Sequence, residues 1–406
     1  MPQEYQIFLL QIVWKLIRAW WWVPLPFLLW KPATYLWLWW RTEIWKREKF
    51  KPILLEIRIP KESLKPIRAM ENVLAGIHQA TWEPPNWIEK WWEGQPRLTT
   101  HFEIISIGGE IHFYIRVHQK YRDPVEANIY SQYPGAEITL AEDYTKNVPQ
   151  DMPNKEWDFW GADYKFLKAD PYPILTYKAF ETETEALEEK RVDPMATLLE
   201  NFSKVKPGEQ FWVQISAEST AESFIQPFLK EGLALRDILA KRPEKPKEKS
   251  MIQQGAELLV LGKMPEEVEV KEESVIPPEM KLTPGEKEIV QGIEFKISKP
   301  CFNCNTRFIF MGKRDVWFRA NMRLIFGYFA NFTTLNMNAL VPYGKTLTKV
   351  KSKPIFNLLD KRRLYLRQRK LLRNYKEREQ PYYPLSGRWP AVFVLNTEEL
   401  ASLFHF

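Results

Sequence analysis

A dense group of tryptophans near the amino terminus constrains this chain more than any other feature. Half of its 18 tryptophans lie within the first 45 residues, at Trp14, Trp20, Trp21, Trp22, Trp30, Trp37, Trp39, Trp40 and Trp45. Between residues 19 and 40 the only charged side chain is Lys31, and a basic stretch follows at residues 41–51. Indole rings combine an apolar body with one N–H donor, and they concentrate at the headgroup level of a bilayer. The segment therefore predicts association with a membrane.

We assign residues 1–49 to a membrane anchor whose contacting side chains are Trp20, Trp21, Trp22, Trp30, Trp37, Trp39 and Trp40. A span needs about 20 apolar residues, and residues 19–40 are just long enough. Three prolines and Lys31 disfavour a straight span, so in-plane or re-entrant anchoring and a single span both remain open. A buried core helix or a partner interface is the alternative. The basic flank predicts that the rest of the chain lies on the cytoplasmic face of the cell membrane.

Composition bounds the remainder of the chain. With 406 residues and 45% apolar content, it is long enough for about two further domains with buried cores. The formal net charge of +7 is uneven, with an acidic stretch at residues 181–189 and a strongly basic one at 345–378. Two cysteines exclude a disulfide scaffold and suit a reducing compartment.

Residues 50–150 show the pattern of one compact α+β unit. Periodicity predicts a strand at 53–59, a helix at 61–77, strands at 100–106 and 110–117, a helix from Asp123 to about residue 133, and a strand at 136–140. Gly108 and Gly109 supply a two-residue hairpin turn, and a tryptophan-rich insertion lies at 84–92. This βαββαβ order is typical of a ferredoxin-like domain.

Residues 151–350 predict a second ferredoxin-like unit after an aromatic connector at 157–166. Its expected elements are a strand at 174–180, a helix at 193–205, a strand at 208–217, a helix at 221–240, a helix at 283–296, a strand at 307–311 and a helix at 315–332. A Lys-, Glu- and Pro-rich stretch at 241–281 interrupts the unit, and we expect it to be a flexible linker.

Residues 351–406 combine a basic helix with a terminal docking segment. The predicted helix at 361–378 carries nine cations, Lys361, Arg362, Arg363, Arg367, Arg369, Lys370, Arg373, Lys376 and Arg378. They are suited to contact nucleic-acid phosphates or anionic headgroups, while a solvated face or an acidic partner is the alternative. A short strand at 392–395 and a helix beginning at Asn396 complete the chain.

Motifs for catalysis are weak. A Gly-Lys-Thr triplet at 344–346 matches the end of a P-loop, but Ala339 occupies the position of its first glycine, so the cradle of backbone N–H groups is incomplete. Cys301 and Cys304 lack the second ligand pair of a structural zinc site; a buried apolar pair is the preferred interpretation, with a bridging zinc or a redox pair as alternatives. We predict no catalytic residue, no cofactor, no metal site and no enzymatic activity.

Several blocks of sequence resemble one family. They are FEIIS at 102–106, HFYIR at 112–116, YRDPVEA at 121–127, IYSQYPGAEI at 129–138, DPM at 193–195, KPGEQ at 206–210 and LNTEELASLFHF at 395–406. Together they are similar to the membrane-proximal N-terminal region of type IV secretion (conjugation-type) motor ATPases of the HerA–FtsK group, in the version of candidate-phylum bacteria. The last block is similar to the hinge that leads into the ATPase domain.

The resemblance implies a role in DNA transport but carries over no catalytic residue. In these motors a RecA-like domain with a P-loop follows the hinge, whereas this sequence ends at Phe406. We therefore expect a non-catalytic scaffold or adaptor that contacts membrane lipids, docks a separate motor ATPase, contacts DNA in one version of the hypothesis, and forms a homo-oligomer. The competing hypothesis is a peripheral module that binds anionic lipid or nucleic acid through the basic helix.

Overall fold

The computed structural model describes residues 14–15, 18–20, 22–60, 65–180, 193–220, 222–240, 242, 282–350, 359–379 and 391–406. Some predictions concern residues outside these ranges. They include the anchoring side chain Trp21 and, apart from Arg242, the linker predicted at 241–281.

In the described part of residues 22–150, the main helices and strands run in the following order. They are α1 (Pro24–Glu48), β1 (Pro52–Arg58), α2 (Ile67–Thr81), β2 (Thr99–Ile107), β3 (Glu110–His118), α3 (Arg122–Gln132) and β4 (Glu137–Ala141). A π-helical turn at Glu89–Glu93 lies in the tryptophan-rich insertion. The predicted order of elements between residues 53 and 140 is therefore confirmed, with shifts of a few residues at their ends.

Local chemistry explains these elements. One face of α2 carries Met70, Val73 and Ile77, and all three are buried, as expected for apolar residues at helical spacing. Gly108 and Gly109 both have a positive φ, 60° and 98°, which a two-residue turn requires to match the twist of β2 and β3.

The second part contributes β5 (Trp157–Phe166), α4 (Ala196–Ser203), β6 (Glu209–Ser219), α5 (Glu222–Leu239), α6 (Pro284–Ser298), β7 (Cys301–Lys313), α7 (Leu324–Ala330), β8 (Leu340–Pro342), α8 (Asp360–Lys376), β9 (Phe393–Asn396) and α9 (Thr397–Leu403). The helix predicted at 283–296 is confirmed as α6, and it begins with a capping box in which Thr283 and Glu286 each accept a hydrogen bond from the other's backbone N–H.

Three predictions here are wrong. The aromatic connector at 157–166 is the strand β5, while the strand predicted at 174–180 contains only a short 3-10 turn at Tyr177–Ala179. The backbone N–H groups of Ile174 and Tyr177 donate to side chains of α9 rather than to a neighbouring strand. The long helix predicted at 315–332 is a 3-10 turn at Arg319–Arg323 followed by the short α7. Its start is displaced because the backbone N–H of Trp317 closes a turn onto Lys313 at the end of β7.

The described strands form one antiparallel sheet. Their order is β4-β1-β3-β2-β6-β7-β5-β8, and β9 pairs with β7 beyond the end of β5. Strands β2 and β6 join the two parts of the sheet over nine residue pairs, from Thr99 opposite Glu218 to Ile107 opposite Gln210. The mixed α+β fold expected from the sequence is thus confirmed.

Helices cover both faces of the sheet. The larger core includes residues of α2, α3, α4, α7 and α9 together with one face of the strands. The smaller core lies on the opposite face, where Leu371, Leu372 and Tyr375 of α8 pack against Phe159, Trp212 and their neighbours. The basic helix is therefore a layer of the fold that buries its apolar side chains against the sheet.

Candidate functional site

Helix α1 exposes large apolar side chains along most of its length. Within α1, Trp37, Trp39 and Trp40 are exposed and Trp30 is 69% exposed; just before the helix, Trp20 and Trp22 are exposed too. Phe27, Leu28, Leu29 and Leu36 are exposed as well, so apolar side chains dominate the exposed surface of the helix as far as Trp40. An exposed helix of this composition is suited to lipid or to an apolar partner. Among the described residues, no helix has both the length and the apolarity needed to cross a membrane.

The C-terminal half of α1 contacts a second tryptophan-rich element, the tryptophan turn (residues 86–94), which belongs to the domain formed by the sheet and its helices (the body). The indole Nε1 of Trp37 donates to the Trp91 carbonyl oxygen at 2.8 Å, and the Arg41 Nε donates to the Trp92 carbonyl oxygen at 2.5 Å. Lys49 forms an ion pair of 2.6 Å with Glu93. These contacts of Trp37, Arg41 and Lys49 therefore set the position of the C-terminal end of α1 relative to the tryptophan turn.

The turn requires glycine at its end. Gly94 has a φ of 78° and lies against the backbone of Arg41, so a Cβ at this position would come within 2.3 Å of the Arg41 carbonyl carbon. A side chain there would be strained by the backbone angle and would separate the turn from α1.

The nine predicted cations of α8 are not equivalent. Six of them are exposed, namely Lys361, Arg362, Arg363, Arg369, Lys370 and Arg373. Arg367 is half-buried and donates to the carbonyl oxygen of Lys349, while Lys376 is half-buried and donates to that of Pro149. The structure therefore presents a smaller basic surface than the sequence predicts, and the six exposed cations define it.

Arg378 does not belong to the basic surface, which corrects the prediction. Its guanidinium is fully buried and donates from Nε and Nη2 to both oxygens of Glu103, at 2.8 and 3.2 Å, and to Asp143. Burial alone would lower the pKa of Arg378, but the charge of Glu103 raises it. Burial would likewise raise the pKa of Asp143, yet the hydrogen bonds from Arg378 hold it below its ordinary value. Arg378 therefore locks the end of α8 onto β2.

Arg307 on β7 holds the same end of α8, and the sequence analysis missed it. It pairs with Asp163 at 3.0 Å and donates to the carbonyl oxygens of Asn374 and Glu379 at 2.5 and 3.0 Å. The last carbonyl groups of a helix have no partner within it; Arg307 donates to one of them, that of Asn374, and to the Glu379 carbonyl just beyond the helix. The available signal was an arginine followed directly by the apolar run Phe308–Met311 inside a strand, because a charge buried there must find partners.

The cysteine pair is divided between the two faces of β7. Residues three apart on a strand point in opposite directions, so Cys301 packs beside Phe228 and Val394 whereas Cys304 faces the larger core. Burial raises the pKa of Cys301 to about 12 and that of Cys304 well above its ordinary value. Both are free thiols held in the neutral form, and this arrangement does not let them ligate one metal ion together.

The terminal segment (residues 391–406), which we expected to dock a partner, is largely buried inside the fold. All seven residues of α9 are buried. Glu399 forms a 3.1 Å ion pair with Lys296 in which neither side chain is exposed, and Glu398 pairs with Lys178 and Lys299 at 2.8 and 2.6 Å. A partner cannot reach these residues without opening the core.

Within the described residues, the apolar surface of α1 and the six exposed cations of α8 are the predicted site residues that are available for contact. Among the described residues, no cluster of three or more His, Cys, Asp or Glu side chains is arranged to hold a metal ion. No protein-family model matches the sequence, and a comparison with curated proteins finds no match.

Proposed function

We propose that this protein is a non-catalytic scaffold that rests on the cytoplasmic face of the cell membrane and docks a separate motor ATPase for DNA transport. The observation that carries the proposal is that α1 exposes apolar side chains while its C-terminal end is fixed to the tryptophan turn. Burying its tryptophans in the interfacial region of a bilayer removes apolar area from water while the indole N–H groups stay hydrated. The basic residues that follow suit an anionic surface.

The sheet topology supports two ferredoxin-like units as the finer description of the body. Strands β1 to β4 lie in the order 4-1-3-2, and β5 to β8 repeat that order in mirror image, so that β2 and β6 meet at the centre. Each half also has a helix between its first and second strands and another between its third and fourth. We infer that the second unit carries α5, the segment before α6, and α6 as an insertion between β6 and β7.

The basic helix α8 is the surface we assign to the motor or its DNA. Its six exposed cations share one helix, and the opposite side of that helix is fastened to the sheet by Gln368, Arg307 and Arg378. A helix held in this way loses little conformational entropy when it binds, which favours affinity. The partner itself is inferred from the resemblance to type IV secretion motors.

Membrane association is tested first, because the proposal falls without it. The full chain is purified in mild detergent, transferred to vesicles of phosphatidylcholine and phosphatidylglycerol, and floated on a density gradient. We expect it to float with the vesicles and the variant Trp30→Ser/Trp39→Ser to float less. A monodisperse protein that stays at the bottom of the gradient would overturn the proposal.

Docking is tested with the six exposed cations of α8 changed to glutamine. Crosslinking in intact cells, followed by affinity purification, should recover a P-loop ATPase with the native chain and lose it with this variant. The matched control changes six exposed lysines elsewhere on the body to glutamine, at Lys146, Lys155, Lys206, Lys230, Lys313 and Lys345. Recovery of no ATPase with the native chain would reject docking while leaving membrane association intact.

The second candidate function is direct binding of nucleic acid or anionic lipid through α8, and the exposure of six cations on one helix favours it. Duplex DNA binding by the purified chain should then weaken with salt, with a log–log slope of about −0.9 per phosphate neutralised. The six-glutamine variant should lose binding and most of that slope. An unchanged slope would exclude α8 as the binding surface.

A further inference from the structure

The tryptophan turn has its own exposed apolar side chains, which are buried neither by α1 nor by the sheet. Trp87, Ile88 and Trp92 are 73%, 60% and 67% exposed. Their neighbour Lys90 is also exposed, and its ammonium lies 5.9 Å from the ring of Trp91. Three indoles and one isoleucine with a cation among them form an apolar tip with a basic edge.

This tip is continuous with the exposed surface of α1. The rings of Trp37 and Trp92 lie 6.3 Å apart, and those of Trp37 and Trp40 lie 5.5 Å apart. The hydrogen bonds from Trp37 and Arg41 reach the backbone of the turn rather than its side chains, so the turn is held while its own indoles stay free to contact something else. The apolar surface thus extends from α1 to the tryptophan turn, and the position of the turn along α1 is fixed at Trp37 and Arg41.

We propose that Trp87, Ile88 and Trp92 enter the headgroup region of the same lipid surface that α1 contacts, so that the protein holds the membrane at two points. The proposal rests on the membrane association proposed above. Indoles are suited to this depth because the ring is apolar and its N–H needs a polar partner. Lys46, Arg47 and Lys90 are exposed nearby and complement anionic headgroups.

Two contacts constrain a body more than one does. A helix alone leaves the body free to rotate about its axis, whereas a second insertion some residues away along the sequence sets which side of the sheet faces the lipid. The turn is anchored to α1 at Trp37 and Arg41, about 20 Å along the helix from Pro24 at 1.5 Å per residue. Its contribution is orientation of the body, including α8, relative to the membrane.

The test places an environment-sensitive NBD fluorophore on Ile88→Cys in the full chain, since Cys301 and Cys304 are buried and should not label in the folded protein. With vesicles of phosphatidylcholine and phosphatidylglycerol, we expect a blue shift and a severalfold rise in emission. The matched control is Leu335→Cys in the loop between α7 and β8, where the leucine is 99% exposed and the label should stay in water. A chain that floats with vesicles while the label on residue 88 behaves as the label on residue 335 would overturn the proposal alone.

A second pair of variants measures the contribution to affinity. Trp87→Ser/Ile88→Ser should weaken partitioning to the vesicles about tenfold or more, because two large apolar side chains no longer leave water. Leu167→Ser/Leu335→Ser removes two exposed leucines elsewhere and should leave partitioning unchanged. Equal partitioning of the two variants would contradict the second contact, and failure of the native chain to bind any vesicle would remove the membrane function together with it.

Discussion

Helix α1 and the terminal segment are both partly apolar, but their side chains have opposite exposure. In α1, most of the large indole and aliphatic side chains from Phe27 to Trp40 are exposed. In the terminal segment, even the carboxylates of Glu398 and Glu399 are buried. Burial here depends on available partners rather than on hydrophobicity alone. Buried or half-buried lysines pair with the carboxylates of α9, whereas no described element packs over most of the apolar side chains of α1.

The cations that receive α9 come from distant parts of the chain. Lys296 and Lys299 lie at the end of α6 and just after it, and Lys178 lies in the 3-10 turn after β5. Asn396 and Glu399 form a capping box that satisfies the first N–H groups of α9. Helix α1, by contrast, has no side-chain cap at its start. A helix with acidic residues in its first turn is thus held inside the protein, and an apolar helix is left outside it.

The largest effect is expected from Glu399→Ala. It leaves the ammonium of Lys296 buried without its partner, which costs about 3–5 kcal/mol when a buried ion pair is broken. Urea unfolding measures the free energy of unfolding, and the double variant Lys296→Met/Glu399→Leu should recover much of the loss. The control in α1 is Glu43→Ala, which breaks an exposed pair with Arg47 and should change stability by less than about 0.5 kcal/mol. Equal losses in the two variants would contradict the comparison.

A smaller effect is expected from the cap of α9. Asn396→Ala removes the side-chain acceptor for the Glu399 N–H, and loss of such a cap costs about 1 kcal/mol, or up to about 2 in a protein. Thr283→Ala removes the corresponding but exposed cap of α6. We expect the loss at Asn396 to be the greater of the two by urea unfolding, because water cannot replace the buried acceptor; the reverse order would be inconsistent with a buried α9.

Acid should destabilise the terminal segment through Glu398. Burial alone would raise the pKa of this carboxyl, but hydrogen bonds from Lys178 and Lys299 hold it below its ordinary value of 4.5. The unfolded chain therefore binds more protons as the pH falls below about 4.5, and stability is lost in that range. Unfolding free energies from about pH 6 down to pH 3 should decline less steeply for Glu398→Gln than for the native protein. Parallel declines would show that Glu398 is not the group responsible.

The smallest effect on folding is expected from Trp39→Ser on the exposed surface of α1. Its side chain lies outside the described cores, so stability should change by less than about 0.5 kcal/mol, while binding to vesicles should weaken. The matched change Trp45→Ser lies in the last turn of the same helix, where the indole is only 5% exposed. It should lower the free energy of unfolding by about 3 kcal/mol or more. A large stability loss at Trp39 would mean that α1 is covered by the protein itself.

Elements predicted from the sequence were those whose determinants lie a few residues apart. The apolar spacing of α2, the glycine turn between β2 and β3, and the start of α6 at Thr283 all depend on neighbours within a turn of helix or a hairpin. The candidate site was predicted in the same way: the tryptophans of α1 and most cations of α8 follow directly from their positions in the sequence.

The errors arose where a partner lies far along the chain. Periodicity did not separate the true strand β5 from residues 174–180, because both are rich in apolar residues; β5 is a strand since β7 offers it a ladder of hydrogen bonds. In sequence, Arg378 is one more cation of a basic helix; in the fold, its guanidinium donates to the carboxylate of Glu103, 275 residues away.

The sequence by itself determined the local elements, the apolar character of the amino terminus and the basic character of α8. These depend on short-range periodicity, which is written in consecutive residues. Only the tertiary structure decided that the terminal segment is interior, that two arginines fasten α8 to the sheet, and that the tryptophan turn lies beside α1. The reason is that burial and ion pairing are properties of surfaces brought together by folding, and a residue's neighbours in space are not its neighbours in the chain.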